Sequence, residues 1–468
     1  MTTTLLSRNL RVAIIGAGPA GIYAGNILSR TGLDVSIDLI ETLPAPYGLI
    51  RYGVAPDHPR IKGVVRSLHE MLDAGTIRLL GNVRFGVDLS LDDLGRHYDA
   101  VIFATGAARD AELAISGSGL PGSYGAADFV SWYDGHPDAP RQWPLDAREV
   151  AVLGNGNVAL DIARVLAKWP HDILRTDIPA NVYDGLAASP VTDVHVFGRR
   201  SPAHVKFTPL ELRELGEVTG VDVIVDAEDF ADVDGIDAVA QAAGTNQVKV
   251  MTRTLRGWLD RESTGASRRL HLHFFHQPTE ILGAQRVEGI RFERTTLDHA
   301  DGPVGVVRGT GTFVDYPVQA VYRAVGYFGS PLPGVPFDER RGVIRNCEGR
   351  VLDDAGEHIA GLYATGWIKR GPVGLIGHTK ADAMETIEHL VSDFDLLPHA
   401  EQPDEQAVLD LLADRGVGYT TWQGWLALDE HERALGAADR SPVERERVKV
   451  VPRHEQVEIA RAGELVTP

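Results

Sequence analysis

A chain of 468 residues, 44% hydrophobic and 24% charged, is too long for one core and points to two or three globular domains, with no case for global disorder. No apolar run reaches the roughly 18–20 residues that cross a bilayer, and a formal net charge of −19 argues against nucleic acid as a partner. The only cysteine, Cys347, excludes an internal disulfide and an iron–sulfur cluster held by four thiolates, so electron chemistry would run on a bound organic cofactor.

The first strand begins near Arg11, which leaves no room for a signal or transit peptide and makes a cytoplasmic protein the expectation. From there RVAIIGAGPAGIYAGNIL reads as strand, glycine turn and helix. Gly16 suits the tight turn, Gly18 the approach of a pyrophosphate and Gly21 close helix–strand packing, with Pro19 and Ala20 between them. The helix N-terminus then faces the phosphates. A second strand, VSIDLIE, ends on Glu41, about twenty-five residues past Gly16, where a carboxylate takes ribose hydroxyls and repels a 2′-phosphate. This first site suits FAD or NAD, and FAD better if a second nucleotide site stands nearby.

Next comes PAPYGLIRYGVAPDHPR, Pro- and Gly-rich yet apolar and aromatic, which reads as a shaped loop along a flavin. Its His58 would meet Asp161 if two nucleotide domains face each other. The strand YDAVIFATGA and the distant GLYATGWIKRG share an Ala-Thr-Gly ending and are expected in one sheet. Between them a second unit, VAVLGNGNVALDIARVLA, repeats strand, turn and helix, with Ala159 in place of the third glycine. Its later strand, VTDVHVFGRR, ends in Arg199 and Arg200 where an acid would mark NAD, and paired guanidinium groups suit the 2′-phosphate of NADP(H).

The expected fold class is therefore α/β, two Rossmann-like dinucleotide-binding domains with the NADP domain inserted into the FAD domain. The boundaries are 1–107 and 326–468 for the FAD domain and 108–325 for the insert. The segment Pro170 to Pro190 is an added helix or loop, and the chain beyond Leu396 carries helical patches without assignable chemistry. FTPLELREL begins like a helix and offers Glu211. HLHFFH places His271 and His273 on one strand face, but with no acid or thiol at metal-ligand spacing it reads as structural, and no metal is expected.

Taken together, GAGPAG, PYGLIRYGVAPDHP, GNGNVALDIAR, VFGRRSP, FTPLELREL and GWIKRGPVGLIGHTKAD resemble adrenodoxin reductase and the bacterial adrenodoxin-type ferredoxin:NADP reductases, in one order over nearly the whole chain. The resemblance implies hydride passing from NADPH to the N5 of FAD and single electrons passing on to an iron–sulfur ferredoxin, or the reverse. It implies Ala20, Glu41, Leu49, Trp367 and Gly374, Leu375 and Ile376 around FAD, with Phe85 near the adenine. For NADP it implies Asn155, Gly156, Asn157, Val158, Arg199, Arg200, Glu211 and Gly374. His58 and Asp161 match a pair beside the flavin, and Glu211 matches the acid that contacts the nicotinamide carboxamide. Lys249, Arg253 and Arg256 match a basic surface that docks the ferredoxin. Ser201 and Val373 depart from the family's usual Gly and Thr without removing a charge. The competing readings are a flavin monooxygenase and a non-catalytic dinucleotide-binding sensor; the missing cysteine pair excludes a disulfide reductase.

Overall fold

The computed structural model describes residues 8–242, 246–300, 302, 304–373 and 376–464. These form two compact units: one comprises residues up to Arg109, Asp134–Asp138 and Tyr327 onward, the other Asp110–Tyr133 and Ala139–Gly326.

The first unit is organised by a seven-stranded sheet whose five parallel strands centre on Leu10–Ile15. All six residues of that strand are buried, as expected of a parallel strand covered on both faces. Val35–Ile40 and then Arg78–Leu80 continue the sheet on one side; Ala100–Phe103 and His358–Ala364 continue it on the other, all in parallel. Arg350–Leu352 and Asn346–Cys347 add an antiparallel edge. The two strands that end in Ala-Thr-Gly are thus neighbours, with Leu362 registered on Val101 and Ala364 on Phe103.

The C-terminal stretch belongs to this unit's core. Its helices are Glu405–Asp414, Trp422–Ala438 and Arg453–Glu464. Trp425, Leu428 and Val450 join the cluster built on Leu10, Val12 and Ile14, while Val408 and Leu412 join the cluster on the opposite face. Glu432, fully buried, pairs with both terminal nitrogens of Arg51 at 3.0 and 2.5 Å. That pair ties the tail to the PYGLIRYG loop, and removing Glu432 would strand Arg51 as an uncompensated buried charge.

The second unit carries a six-stranded parallel sheet in the order Ser123–Gly125, Ala320–Arg323, Glu149–Leu153, Asp193–Phe197, Arg268–His273, Val221–Val225. A three-stranded antiparallel sheet, His276–Leu282, Gly289–Asp298 and Val306–Tyr316, packs on it through Phe197, Ile290, Phe292 and Val318. The segment after Pro170 forms two helices, Pro170–Ile173 and Ala180–Ala188. No helix among the described residues is long and apolar enough to cross a membrane.

Candidate nucleotide sites

In the first unit the strand Leu10–Ile15 feeds the turn Gly16–Gly18, and the helix Pro19–Leu28 starts with proline at its first position, where the missing N–H costs nothing. Gly16 sits at φ +112°, and a Cβ there would lie 2.6 Å from the Ala104 carbonyl oxygen. A Cβ on Gly21 would lie 2.0 Å from the Gly16 carbonyl, so the helix can approach the strand only through glycine. The turn thus brings no bulky side chain over the helix N-terminus, a cradle that fits a pyrophosphate.

Glu41 follows the second strand, is buried, and accepts from the backbone N–H of Ala17 at 2.7 Å and of Leu43 at 3.0 Å. Burial pushes its carboxyl above the ordinary range, and those N–H groups pull it back. The carboxylate is therefore fixed against the glycine turn, with lone pairs left for a diol.

The PYGLIRYG loop lies on the same turn. Tyr47 donates its N–H to the Ala17 carbonyl at 2.8 Å, and a Cβ on Gly48 would meet the Gly18 Cα at 3.0 Å. Tyr47 holds a left-handed backbone at φ 82°, kept in place by burial against Trp425 at 5.6 Å. Leu49 opens the short helix Leu49–Tyr52 and is half-buried. His58, 4% exposed, precedes the helix Pro59–Lys62. Phe85 is buried edge-on against Phe103 at 5.5 Å.

At the end of the strand His358–Ala364, Thr365 is buried and its hydroxyl finds no hydrogen-bond partner among the described residues. The next residue, Gly366, packs so closely on Ala20 that a Cβ would lie 2.6 Å from the alanine methyl, and its N–H donates to Asp382 at 2.5 Å. Trp367 is half-buried at the start of Trp367–Arg370. Gly374 and Leu375 lie outside the described residues; Ile376 begins the helix Ile376–Ser392.

In the second unit the strand Glu149–Leu153 leads through Gly154, Asn155 and Gly156 into the helix Asn157–Ala167, with Gly156 as N-cap. Ala159 is 1% exposed where the first unit has Gly21. Asn155 and Asn157 join this turn to the segment before Pro209: the Asn155 carbonyl accepts from the Lys206 N–H at 2.8 Å, and the Asn157 amide oxygen from the Thr208 N–H at 3.2 Å.

Arg199 is exposed and Arg200 half-buried directly after the strand Asp193–Phe197. One terminal nitrogen of Arg200 donates to the carbonyls of Val304 at 3.1 Å and Gly305 at 3.4 Å, while its buried Nε has no acceptor among the described residues. Burial and the neighbouring Arg199 charge push the Arg200 guanidinium below its usual basicity. Two cations held side by side with a donor unspent make a fit for a dianionic phosphate.

Glu211 sits in the first turn of the helix Pro209–Gly216, whose cap Thr208 accepts from the Glu211 N–H at 3.3 Å. A residue missed by the sequence reading links it to Asp161. Arg164, 1% exposed, donates to Asp161 at 2.8 Å and to Glu211 at 3.3 Å, holding two buried carboxylates with one guanidinium. The spacing of three between Asp161 and Arg164 on one helix was the available signal. The basic stripe lies on the helix Asn246–Trp258: Lys249 and Arg253 are exposed, whereas Arg256 is half-buried and paired with Asp237 at 2.9 Å.

With that geometry in place, comparison with known proteins is specific. Residues 10–201 match the pyridine nucleotide-disulphide oxidoreductase family. The chain is 39% identical over 451 residues to NADPH-ferredoxin reductase FprA of Mycobacterium tuberculosis, covering 94% of this chain and 96% of that protein. It is 36% identical to the mitochondrial NADPH:adrenodoxin oxidoreductase of Homo sapiens, over 93% of this chain and 89% of that one. The solved structure of M. tuberculosis FprA in complex with NADPH superposes with a TM-score of 0.88 at 37% identity, covering 97% of this chain and all of that one. The fold is that of a two-nucleotide flavoprotein oxidoreductase. This chain belongs to the NADPH–ferredoxin reductase family that includes adrenodoxin reductase.

Proposed function

We propose that this chain binds FAD in its first unit and NADP(H) in its second, oxidises NADPH and delivers electrons one at a time to an iron–sulfur ferredoxin in the cytoplasm. The observation that carries the reading is the pairing of two strand–turn–helix cradles with opposite electrostatics, one closed by Glu41 and one by Arg199 and Arg200. FAD, when bound, supplies the conversion between a two-electron and a one-electron couple.

The chain's own residues bind and orient. The Gly16–Gly21 turn takes the pyrophosphate of FAD and Glu41 its ribose; Leu49, Phe85, Trp367, Gly374, Leu375 and Ile376 are the proposed remaining flavin contacts. Asn155, Gly156, Asn157 and Val158 present the second helix N-terminus, and the Arg pair selects the 2′-phosphate. Arg164 keeps Glu211 aimed, so that Glu211 can accept the N–H of a carboxamide, and it holds Asp161 beside it. His58 is proposed as a further group at the flavin, and Lys249 and Arg253 as the docking cations.

Anaerobic addition of NADPH to the purified yellow protein tests the reading. Flavin bleaching followed by NADPH-dependent reduction of an acidic ferredoxin is the expected result. An unbleached flavin would make the chain a sensor, and substrate-dependent oxygen consumption without ferredoxin would make it a monooxygenase.

A further inference from the structure

The histidines of HLHFFH have no part in that reaction, and the fold gives them a partner that no sequence spacing displays. His271 and His273 are two apart on the strand Arg268–His273, so both project from one face of the sheet. On the neighbouring strand His195 is the registered partner of His271 and delivers a third imidazole to the same face. Its ring stacks on His271 at 4.3 Å, and its Nδ1 lies 3.0 Å from Nε2 of His273. One potential ligand nitrogen from each ring falls within 4.8 Å of the other two.

Carboxylates stand on the outer sides of two of the rings. Asp193 Oδ1 is 2.9 Å from Nε2 of His271, and Glu149 Oε2 is 3.9 Å from Nε2 of His195. The Asp193 contact engages Nε2 of His271 and leaves its Nδ1 for another task, while Glu149, beyond hydrogen-bond distance, is an electrostatic neighbour of His195. The nearby cations are already spent: Arg269 pairs with Asp193 at 2.6 Å and Arg294 with Asp229 at 2.8 Å.

We propose that His195 and His271 through Nδ1, and His273 through Nε2, form a mononuclear site for a divalent transition-metal ion of the zinc class. Solvent takes the fourth position. The 3.0 Å contact between His195 Nδ1 and His273 Nε2 is a hydrogen bond in which one ring donates; an ion takes the place of that proton, which moves to the other nitrogen of its ring. With Zn–N bonds of about 2.0–2.1 Å a tetrahedral ion separates two donors by about 3.3 Å, a few tenths more than the observed contact. The three rings are near parallel, within 18° of one another, so His271 must turn about χ2 to aim its donor. Its ring is half-buried and makes that turn by giving up its present contact with Asp193. An apolar layer would pack between two sheets without burying these polar nitrogens, so a bound ion gives them a return that packing alone does not.

The test is calorimetric titration of chelator-treated, FAD-loaded protein with Zn²⁺, beside His195→Gln and His271→Gln. One tight equivalent in the wild-type protein is expected. Each variant should weaken it at least about tenfold, the loss already typical of an outer-shell partner. X-ray absorption of the zinc-loaded wild-type protein, which does not depend on any variant folding, should show three imidazole nitrogens at about 2.0–2.1 Å. Wild-type protein that takes up no zinc, variants that bind as well as wild type, or a spectrum with fewer than two imidazoles would overturn the assignment.

Discussion

Arg199 and Arg200 are adjacent in sequence, but their surroundings make them unequal, and the inequality can be measured. Arg199 is exposed, so its contact with a 2′-phosphate competes with water and contributes about 0–1 kcal/mol. Arg200 is half-buried, with its orientation set by the Val304 and Gly305 carbonyls and its buried Nε unspent, so its charge-assisted hydrogen bonds should contribute about 1.5–3 kcal/mol. At about 1.4 kcal/mol per factor of ten, Arg200→Ala should lower kcat/KM for NADPH by about 10- to 150-fold, and Arg199→Ala by at most about fivefold. The double variant should lose less than the product, because neighbouring cations share one anion. Steady-state kinetics with both NADPH and NADH make the check, since NADH lacks the phosphate and should be used equally well by all variants. Equal losses for the two arginines, or a loss with NADH matching that with NADPH, would refute the reasoning.

Glu211→Ala should keep FAD and most NADPH affinity but slow anaerobic flavin bleaching by about 10²-fold, as expected when a positioning contact is lost; unchanged stopped-flow rates at saturating NADPH would reduce Glu211 to a structural acid. Reversing Lys249 and Arg253 to Glu should slow ferredoxin reduction about tenfold or more at low salt and spare a small neutral acceptor, while Arg256→Ala, already paired with Asp237, should matter less; a salt-independent normal rate would move the docking surface elsewhere. Asp110, whose carboxyl burial pushes up to about 6 from 3.8, binds its proton more tightly in the folded chain. Its contribution is therefore fully present below about pH 3.8 and is lost as pH rises through 6. Asp110→Asn should accordingly stabilise the protein by about 1 kcal/mol at pH 8 and not at pH 4, as read from melting curves at the two pH values.

What the sequence displayed was local in character. The turn Gly16–Gly21, Glu41 at the end of the second strand and the Arg pair after Phe197 are all specified by neighbours within one strand–turn–helix unit, where spacing is geometry. The neighbouring Ala-Thr-Gly strands were readable because the same three residues end both. Contacts made by register or by distant helices were not. His195 meets His271 only because two strands pair, and Glu211 shares Arg164 with Asp161 across 47 residues. The tail looked like unassigned helices because the partners of Trp425 and Glu432, Tyr47 and Arg51, lie far back in the chain.

The pairing of Leu362 with Val101 also sets an order of events during synthesis. The sheet that carries the first glycine turn lacks an inner strand until translation has passed Ala364, and Trp425 comes later still. By then the whole second unit has left the ribosome, and its parallel sheet, drawn entirely from residues 123–323, can close without waiting for the rest. Vectorial folding therefore starts in the inserted nucleotide unit, and the unit that begins and ends the chain is the last to mature.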